Sequence, residues 1–596
     1  MRNCDVILAF GFVSNSFSYT SAFFSACNKP FLAPSPSKWI LHALTNPEVN
    51  LDFESETTSL PLNLKEHRLK AKETWETIAL TEARERKIER IDMRSNAKIY
   101  DRKSFETFAS KVKGTYFING LGSCKVGDRL THPFEAHGFL KSFAFKGDGT
   151  IVMKASLINT VLTRLECMMN TMLARGVMSS VAAYNLGGAL LNILAPDERN
   201  TANLAVTVWP PTDEYEVDPI LIVGGDNSHP YVVDLKTLET LGPLDQALNV
   251  GDIKEVLKGR KMLAHTRVDE ERQRLIMCSS TFKLPGEGKG GGNTLIEFFE
   301  FDTDFKLVSS KTHITDFMVF HDWMITEDYY VIPKNPAVFQ PGGVAKFLLG
   351  MAQGIEALQM DEDELGSIML IPRNPKHNNA IEAESDTFFN IFHMGPCYQD
   401  EDDSVVVYGS VFDSYKFGGE MGFDASTQEF DPIAWSASSN APAPRLDKFI
   451  IDQKNGNIIS RERFALYDEQ MVDIPIDMPS FRTDGAKMRY SYFSGAARPE
   501  GWFPFRSILK VDLETGEVNN FDFGNGKVVS EAIFVPTGDQ EEDEGFVMSI
   551  VHDAETKSCE LVIWEASRFS NGPIAAVDIG TLMPWCVHGS WTSACA

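Results

Sequence analysis

The sequence predicts an all-β protein, most naturally a β-propeller, carrying a helical cap. Two observations predict it. From Gly114 almost to the end, short apolar runs alternate with turns rich in Gly, Asp, Asn and Pro, the signature of many short strands at regular spacing. The 596-residue length and the recurrence of hairpins then favour a propeller over a single sandwich. The pattern by itself gives no blade number.

The hairpins can be read in order. Pro219 to Val223 is followed by Gly224-Gly225-Asp226-Asn227 and then by Pro230 to Leu235. Arg274 to Cys278 and Leu295 to Phe301 flank a glycine-rich turn at Gly286 to Gly292. Phe449 to Ile451 and Ile458 to Ile459 bracket Lys454-Asn455-Gly456, and Ser507 to Val511 and Val518 to Phe523 bracket Glu514-Thr515-Gly516. Phe546 to His552 and Glu560 to Ala566 bracket Asp553 to Lys557. Gly, Asn and Asp at these joints tolerate the backbone angles of tight turns.

Four regions depart from this pattern. Residues 1–40 read as a disordered or targeting segment: one early Arg2, an apolar run from Val6 to Val13, then Ser, Phe and Ala with few acids. The stretch Thr20-Ser-Ala-Phe-Phe24 is similar to the cleavage region of plastid-targeting leaders. A plastid location is therefore expected, with a cytoplasmic, membrane-associated protein as the alternative. Residues 41–113 read as a helical extension, with one amphipathic helix from Leu64 to about Ala97 continued near Phe105 to Val112. Residues 114–596 then form the propeller domain, interrupted by helical insertions near 157–194 and 342–360. The simplest reading of these insertions is a cap packed on the β core. Their apolar residues also suit peripheral membrane contact or entry of an apolar substrate.

Composition excludes several classes. The formal net charge of −27 repels phosphate backbones, so no nucleic-acid partner is expected. The short acidic runs lie beside strand-like segments and read as solvated loops. Nine cysteines occur without a C-x-x-C pair, which argues against a disulfide framework or a zinc ribbon. No run of about 20 apolar residues is present, so no spanning helix is expected.

Four of the twelve histidines end largely apolar runs: His265, His321, His393 and His588. Their separations of 56, 72 and 195 residues match no local metal motif, and a lone histidine of this kind is usually a core residue. A propeller alters that judgement, because inner strands distant in sequence face one axis. Four imidazoles there would suit iron, copper or zinc. A rival pair, His132 and His137, is closer in sequence but encloses Pro133.

The chain resembles the carotenoid cleavage oxygenase family from about Gly114 to Trp591. The likeness runs through Gly114-Thr-Tyr-Phe-Ile-Asn-Gly-Leu-Gly122, His137-Gly-Phe-Leu-Lys-Ser-Phe143, Asn200-Thr-Ala-Asn203 and Ala264-His-Thr-Arg-Val-Asp269. It continues in Phe320-His-Asp-Trp-Met-Ile-Thr-Glu-Asp-Tyr-Tyr-Val-Ile-Pro333, Phe389-Asn-Ile-Phe-His393, Ser530-Glu-Ala-Ile-Phe-Val-Pro536, Glu542-Asp-Glu-Gly545 and Val587-His-Gly-Ser-Trp591.

The resemblance implies a seven-bladed propeller with a helical cap, iron(II) on its axis held by the four histidines, and oxidative cleavage of a polyene by dioxygen. It also implies glutamates behind three of the histidines. Glu531 matches one; Asp226 and Asp473 stand where glutamate is usual. Each is one methylene shorter, so the backbone must approach by about 1 Å or a water must bridge. Phe320, Trp323, Phe392, Met394 and Trp585 are the candidate walls of an apolar tunnel. An isomerase or stilbene cleaver of the same family, and a non-catalytic apocarotenoid-binding propeller, are the alternatives.

Overall fold

The computed structural model describes residues 62–593 apart from 197, 212–217, 284–290, 375, 377–378, 415–422, 425–428, 431–442, 468–473, 483–487, 497–502 and 539–540. The expected leader at 1–40, most of the glycine-rich turn at 286–292 and Asp473 lie outside the described residues.

Seven antiparallel sheets follow one another along the chain as the blades of a propeller. Blade 1 contains Lys113–Gly120, Phe139–Lys146 and Thr150–Leu157, and blade 2 runs from Ala205–Trp209 to Thr240–Pro243. Blade 3 runs from Arg267–Asp269 to Leu307–Asp316, and blade 4 from Met318–Val319 to Ile381–Glu384. Blade 5 spans Asn390–Gln399 to Asn457–Arg463, blade 6 spans Ile476–Ser480 to Val518–Asp522, and blade 7 spans Lys527–Val529 to Ala575–Thr581. The last strand, Cys586–Thr592, returns to pair with Lys113–Gly120 and completes blade 1. Ring closure is thus a strand pairing between the two ends of the fold.

Burial explains why these segments are strands. Middle strands such as Ser404–Phe412 are buried at every position, as expected when both faces of a sheet are covered by neighbours. The outermost strand Leu307–Asp316 instead alternates half-buried and exposed side chains along most of its length. Seven apolar clusters fill the gaps between blades among the described residues. One packs Ile276 and Phe298 of blade 3 against Tyr330 and Met369 of blade 4. Another packs Val407 and Phe449 of blade 5 against Val331 and Leu370 of blade 4. Each fully buried side chain of this size contributes about 1.5–3 kcal/mol.

The N-terminal extension differs from the expectation. The helix expected over Leu64 to Ala97 ends at Ala79 (Leu62–Ala79), and Arg86–Asp92 and Ala97–Ile99 are strands. The first pairs with Thr150–Leu157 and the second with Ala575–Thr581, so each extends a blade outward. The propeller therefore begins well before Gly114. Tertiary pairing overrides the weak helical propensity here, and the charges of Arg86, Lys87, Glu89 and Arg90 suit an edge strand. The helix Arg102–Lys111 does cover the stretch near Phe105, with Phe105 and Phe108 buried.

Both expected insertions carry helices. Val161–Met169 is capped by Thr160, whose hydroxyl accepts the Thr163 N–H at 3.1 Å, and Leu186–Leu194 is capped by Asn185. The second insertion forms Pro341–Leu348 and a short 3-10 turn at Gly354–Ala357. The insertions are joined: Arg175 donates to the Phe347 carbonyl at 3.0 Å and Asn192 to the Gly350 carbonyl at 3.0 Å. The helix Leu62–Ala79 buries Trp75 and Ile78 beside Phe503 and Trp585.

Candidate metal centre

The four histidines come from four blades and meet. His265 lies two residues before the first strand of blade 3, and His321 lies between two short strands of blade 4. His393 is on the first strand of blade 5, and His588 is on the closing strand of blade 1. One ring nitrogen from each lies within 4.8 Å of the other three. Among the described residues this is the one group of three or more His, Cys, Asp or Glu side chains that could hold a metal ion.

Carboxylates orient three of the rings from behind. His321 Nδ1 is hydrogen-bonded to Asp226 Oδ2. His393 Nδ1 meets Asp477 Oδ1 at 2.7 Å, and His588 Nδ1 meets Glu531 Oε1 at 3.0 Å. With each Nδ1 proton given to a carboxylate, each Nε2 lone pair is left facing inward. Each carboxylate is itself held. Asp226 Oδ1 accepts the Ala264 N–H at 3.1 Å, Asp477 Oδ1 the Met478 N–H at 2.9 Å, and Glu531 Oε2 the Gly589 N–H at 2.8 Å. His265 has no such hydrogen bond; its Nδ1 is 3.8 Å from Asp322 Oδ1.

Two features fit a bound cation. His393 Nε2 is buried without a hydrogen-bond partner, a costly state for a ring nitrogen unless something else meets it. The Nε2 atoms of His265 and His321 face each other at 3.2 Å. Burial pushes His265 well below the ordinary histidine range, reinforced by the other imidazoles and Arg267. Burial also lowers His588. For His393 burial acts in the same direction, but Asp477 outweighs it and holds the ring above its ordinary value. Burial would raise Asp226, yet His321 holds it below the usual carboxylate range. The set therefore offers four converging ring nitrogens inside an outer ring of carboxylates.

The structure brings Asp226 and Glu531 to the histidines, as the resemblance implies. The partner of His393 is Asp477, four residues beyond the expected Asp473, which lies outside the described residues. A sequence signal existed: in Ile474-Pro-Ile-Asp-Met478 a single carboxylate sits within an apolar run, and it is fully buried. Asp322, immediately after His321, is a further carboxylate near the rings, 3.8 Å from His265 Nδ1. The rival pair is not a metal site: His137 Nε2 binds Glu166 at 2.7 Å, and His132 Nδ1 accepts the Phe134 N–H.

The proposed tunnel residues divide. Phe392 stacks on His321, with ring centroids 4.5 Å apart and planes at 12°. Trp585 packs in the apolar cluster beneath Trp75 and donates to the Val529 carbonyl at 2.9 Å. Phe320 and Trp323 are buried in the core between blades 3 and 4, and Met394 between blades 4 and 5.

Comparison with known proteins agrees with this geometry. Residues 110–593 match the family model described as retinal pigment epithelial membrane protein. The chain is 27% identical over 485 residues to apocarotenoid-15,15'-oxygenase of Synechocystis sp., covering 80% of this chain and 90% of that protein. It is 25% identical over 538 residues to carotenoid cleavage dioxygenase 7, chloroplastic, of Oryza sativa, covering 80% and 85%. Its fold superposes on the crystal structure of a cobalt-substituted Synechocystis ACO with a TM-score of 0.72, at 22% identity, covering 87% of this chain and 98% of that one. A match that runs from the first strands of the ring to its closing strand makes this chain a member of the retinal pigment epithelial membrane protein family, the carotenoid cleavage oxygenases.

Proposed function

We propose that the protein is a non-haem iron(II) dioxygenase that cleaves one double bond of a carotenoid or apocarotenoid into two carbonyl products. The observation that carries this reading is the convergence of four imidazole nitrogens within 4.8 Å, three of them backed by carboxylates. Four imidazole nitrogen donors suit a divalent transition metal and leave coordination positions open. When bound, iron(II) supplies the redox chemistry for dioxygen, which the side chains lack.

The chain's own residues aim, screen and enclose. Asp226, Asp477 and Glu531 fix the tautomers of His321, His393 and His588, and their negative charge balances a divalent cation. Phe392 and the cluster around Trp585 supply apolar surface beside the histidines, which suits a polyene and excludes water. Both oxygen atoms end in the two products, so the reaction needs no protein base or nucleophile, and none is assigned.

The cap supports delivery of such a substrate from a membrane surface. Leu186, Leu190, Leu191 and Leu194 on one helix and Met168 and Met169 on another are exposed, Leu186 by 89%. Clustered exposure of this kind favours an apolar partner phase. No helix among the described residues is long and apolar enough to cross a membrane, and the exposed side chains of the cap suit peripheral contact. A plastid location is supported by the chloroplastic relatives of rice and Arabidopsis thaliana.

The test combines metal analysis with cleavage of a carotenoid and apocarotenoid panel under ¹⁸O₂, products being read by mass spectrometry. Near-stoichiometric iron and label in both fragments are expected. Absence of iron after reconstitution would leave a binding propeller, unlabelled fragments would overturn the dioxygenase reading, and turnover without cleavage would leave an isomerase.

A further inference from the structure

We infer that Asp322 is a positioning residue for the metal centre, clamping together the three consecutive blades that carry His265, His321 and His393. The inference rests on the metal-centre reading above and concerns the one histidine that no carboxylate holds directly.

Asp322 is 2% exposed and sits next to His321. Its Oδ1 accepts the Trp323 N–H at 2.7 Å and a guanidinium N–H of Arg267. Its Oδ2 accepts the Met394 N–H at 2.9 Å. Arg267 lies two residues after His265, and Met394 directly follows His393. One carboxylate therefore ties backbone or side chain within two residues of three of the four histidines. Two more bonds close the arrangement: Arg267 Nε donates to the Trp323 carbonyl at 2.7 Å, and Trp323 Nε1 donates to the His265 carbonyl at 3.0 Å.

Packing alone does not explain this choice of residue. Trp323, Met394 and Phe320 around it already fill the inter-blade cores, and burying a carboxylate in such a place costs free energy unless its bonds are all made. The bonds made here are directional and lie within two residues of the histidines on three blades. His265 is therefore aimed through its backbone and through Arg267, where the other three rings are aimed through Nδ1. Arg267 also neutralises Asp322, so the clamp adds no net charge to the acidic ring of Asp226, Asp477 and Glu531.

The test uses the full chain, stripped of metal and titrated with Fe(II) in competition with a chelator. Parallel titrations with Co(II) read its visible ligand-field bands, and the melting temperature of the metal-free protein is recorded. Asp322→Asn keeps the shape but removes the charge; Arg267→Gln cuts the same clamp from the other side. Asp447→Asn is the control, since Asp447 is equally buried and paired with Arg461 and Arg463 but lies in the outer part of blade 5. Asp322→Asn and Arg267→Gln are each expected to weaken Fe(II) binding by about 10–100-fold and to shift the Co(II) bands. Asp447→Asn is expected to lower only the melting temperature. Fe(II) affinity within about twofold of the parent and unchanged bands would overturn the proposal, whatever the melting temperature. If Asp322→Asn does not fold, the same result from Arg267→Gln overturns it. A parent protein that takes up neither metal would instead overturn the metal-centre reading, and this proposal with it.

Discussion

Lengthening Asp226 by one methylene, to the glutamate usual in this family, is expected to weaken the metal centre. Asp226 already reaches His321 Nδ1 directly and also accepts the Ala264 N–H, beside His265. Its turn is braced. Ser228 and Met262 exchange backbone hydrogen bonds of 3.1 and 2.9 Å, Ser228 Oγ donates to the Gly225 carbonyl at 2.8 Å, and Asn227 holds a left-handed φ of 47°. The braced turn thus already holds the shorter side chain against its partners, and a further carbon adds about 1 Å of reach with no slack along that line. Either His321 is pushed off the axis or the carboxylate swings aside. The Asp226 side chain is 36% exposed, so the second route is open, and it removes the contact without forcing the ring. Asp226→Glu should therefore lose about tenfold in Fe(II) affinity, about 1.4 kcal/mol, the small end of the range for such supporting groups. Asp226→Ala, which leaves the His321 Nδ1 proton unmet, should approach 100-fold, about 2.7 kcal/mol. Chelator-competition titration of the two variants against the parent measures both. Equal or tighter binding by Asp226→Glu would refute the reasoning, because the turn would then be yielding and the aspartate simply a poorer fit.

Replacing His393 or His588 with alanine should leave a folded protein that retains no iron through gel filtration, as read by metal analysis; retained iron would show that the ligand set is wrong. Thermal stability should fall on acidification in two stages. Burial holds His552 down to about 3, so its neutral form is required and stability declines from pH 6.5 downward as the unfolded chain takes up the proton. Glu166, which burial alone would raise, is held at about 2 by His137 and Arg199, so its contribution is complete above pH 4.5 and is lost as pH falls from there toward 2. Melting curves of His552→Gln and Glu166→Gln across this range should each lose their own part of the slope; parallel curves would refute the assignment. Trp75→Ala, which empties an edge-on contact of 4.4 Å with Phe503, should cost about 3–5 kcal/mol in denaturant unfolding. Leu190→Glu with Leu194→Glu should abolish co-sedimentation with lipid vesicles while leaving iron content unchanged.

The sequence carried much of this arrangement, unevenly. Histidines at the ends of apolar runs were visible because inner propeller strands are apolar up to the axis and then meet a polar centre. Their convergence was not visible, since it depends on which blade each strand enters. Asp473 and Asp477 stand four residues apart and the preference between them turns on where the strand begins: Ile476–Ser480 places Asp477 inside it. Arg86 to Asp92 has apolar spacing compatible with a helix, but its strand partner, Thr150–Leu157, lies about sixty residues downstream and no local pattern announces it. Nothing local sets Asp322 apart, because its three partners come from three blades.

The distribution of the site over the ring has a mechanical consequence. Every blade gives one group: histidines from blades 1, 3, 4 and 5, and carboxylates from blade 2 (Asp226), blade 6 (Asp477) and blade 7 (Glu531). Three of the histidines come from consecutive blades and meet once blades 3 to 5 have packed. His588 is different. It rides on Cys586–Thr592, the strand that closes the ring against Lys113–Gly120, and its carboxylate arrives on the preceding blade. The centre is incomplete until the two ends of the fold have paired. A metal held by all four rings would then join the closing strand to the opposite side of the propeller, and its binding energy would add directly to the stability of the closed ring. The geometry that assembles the site is in this way the same geometry that finishes the fold.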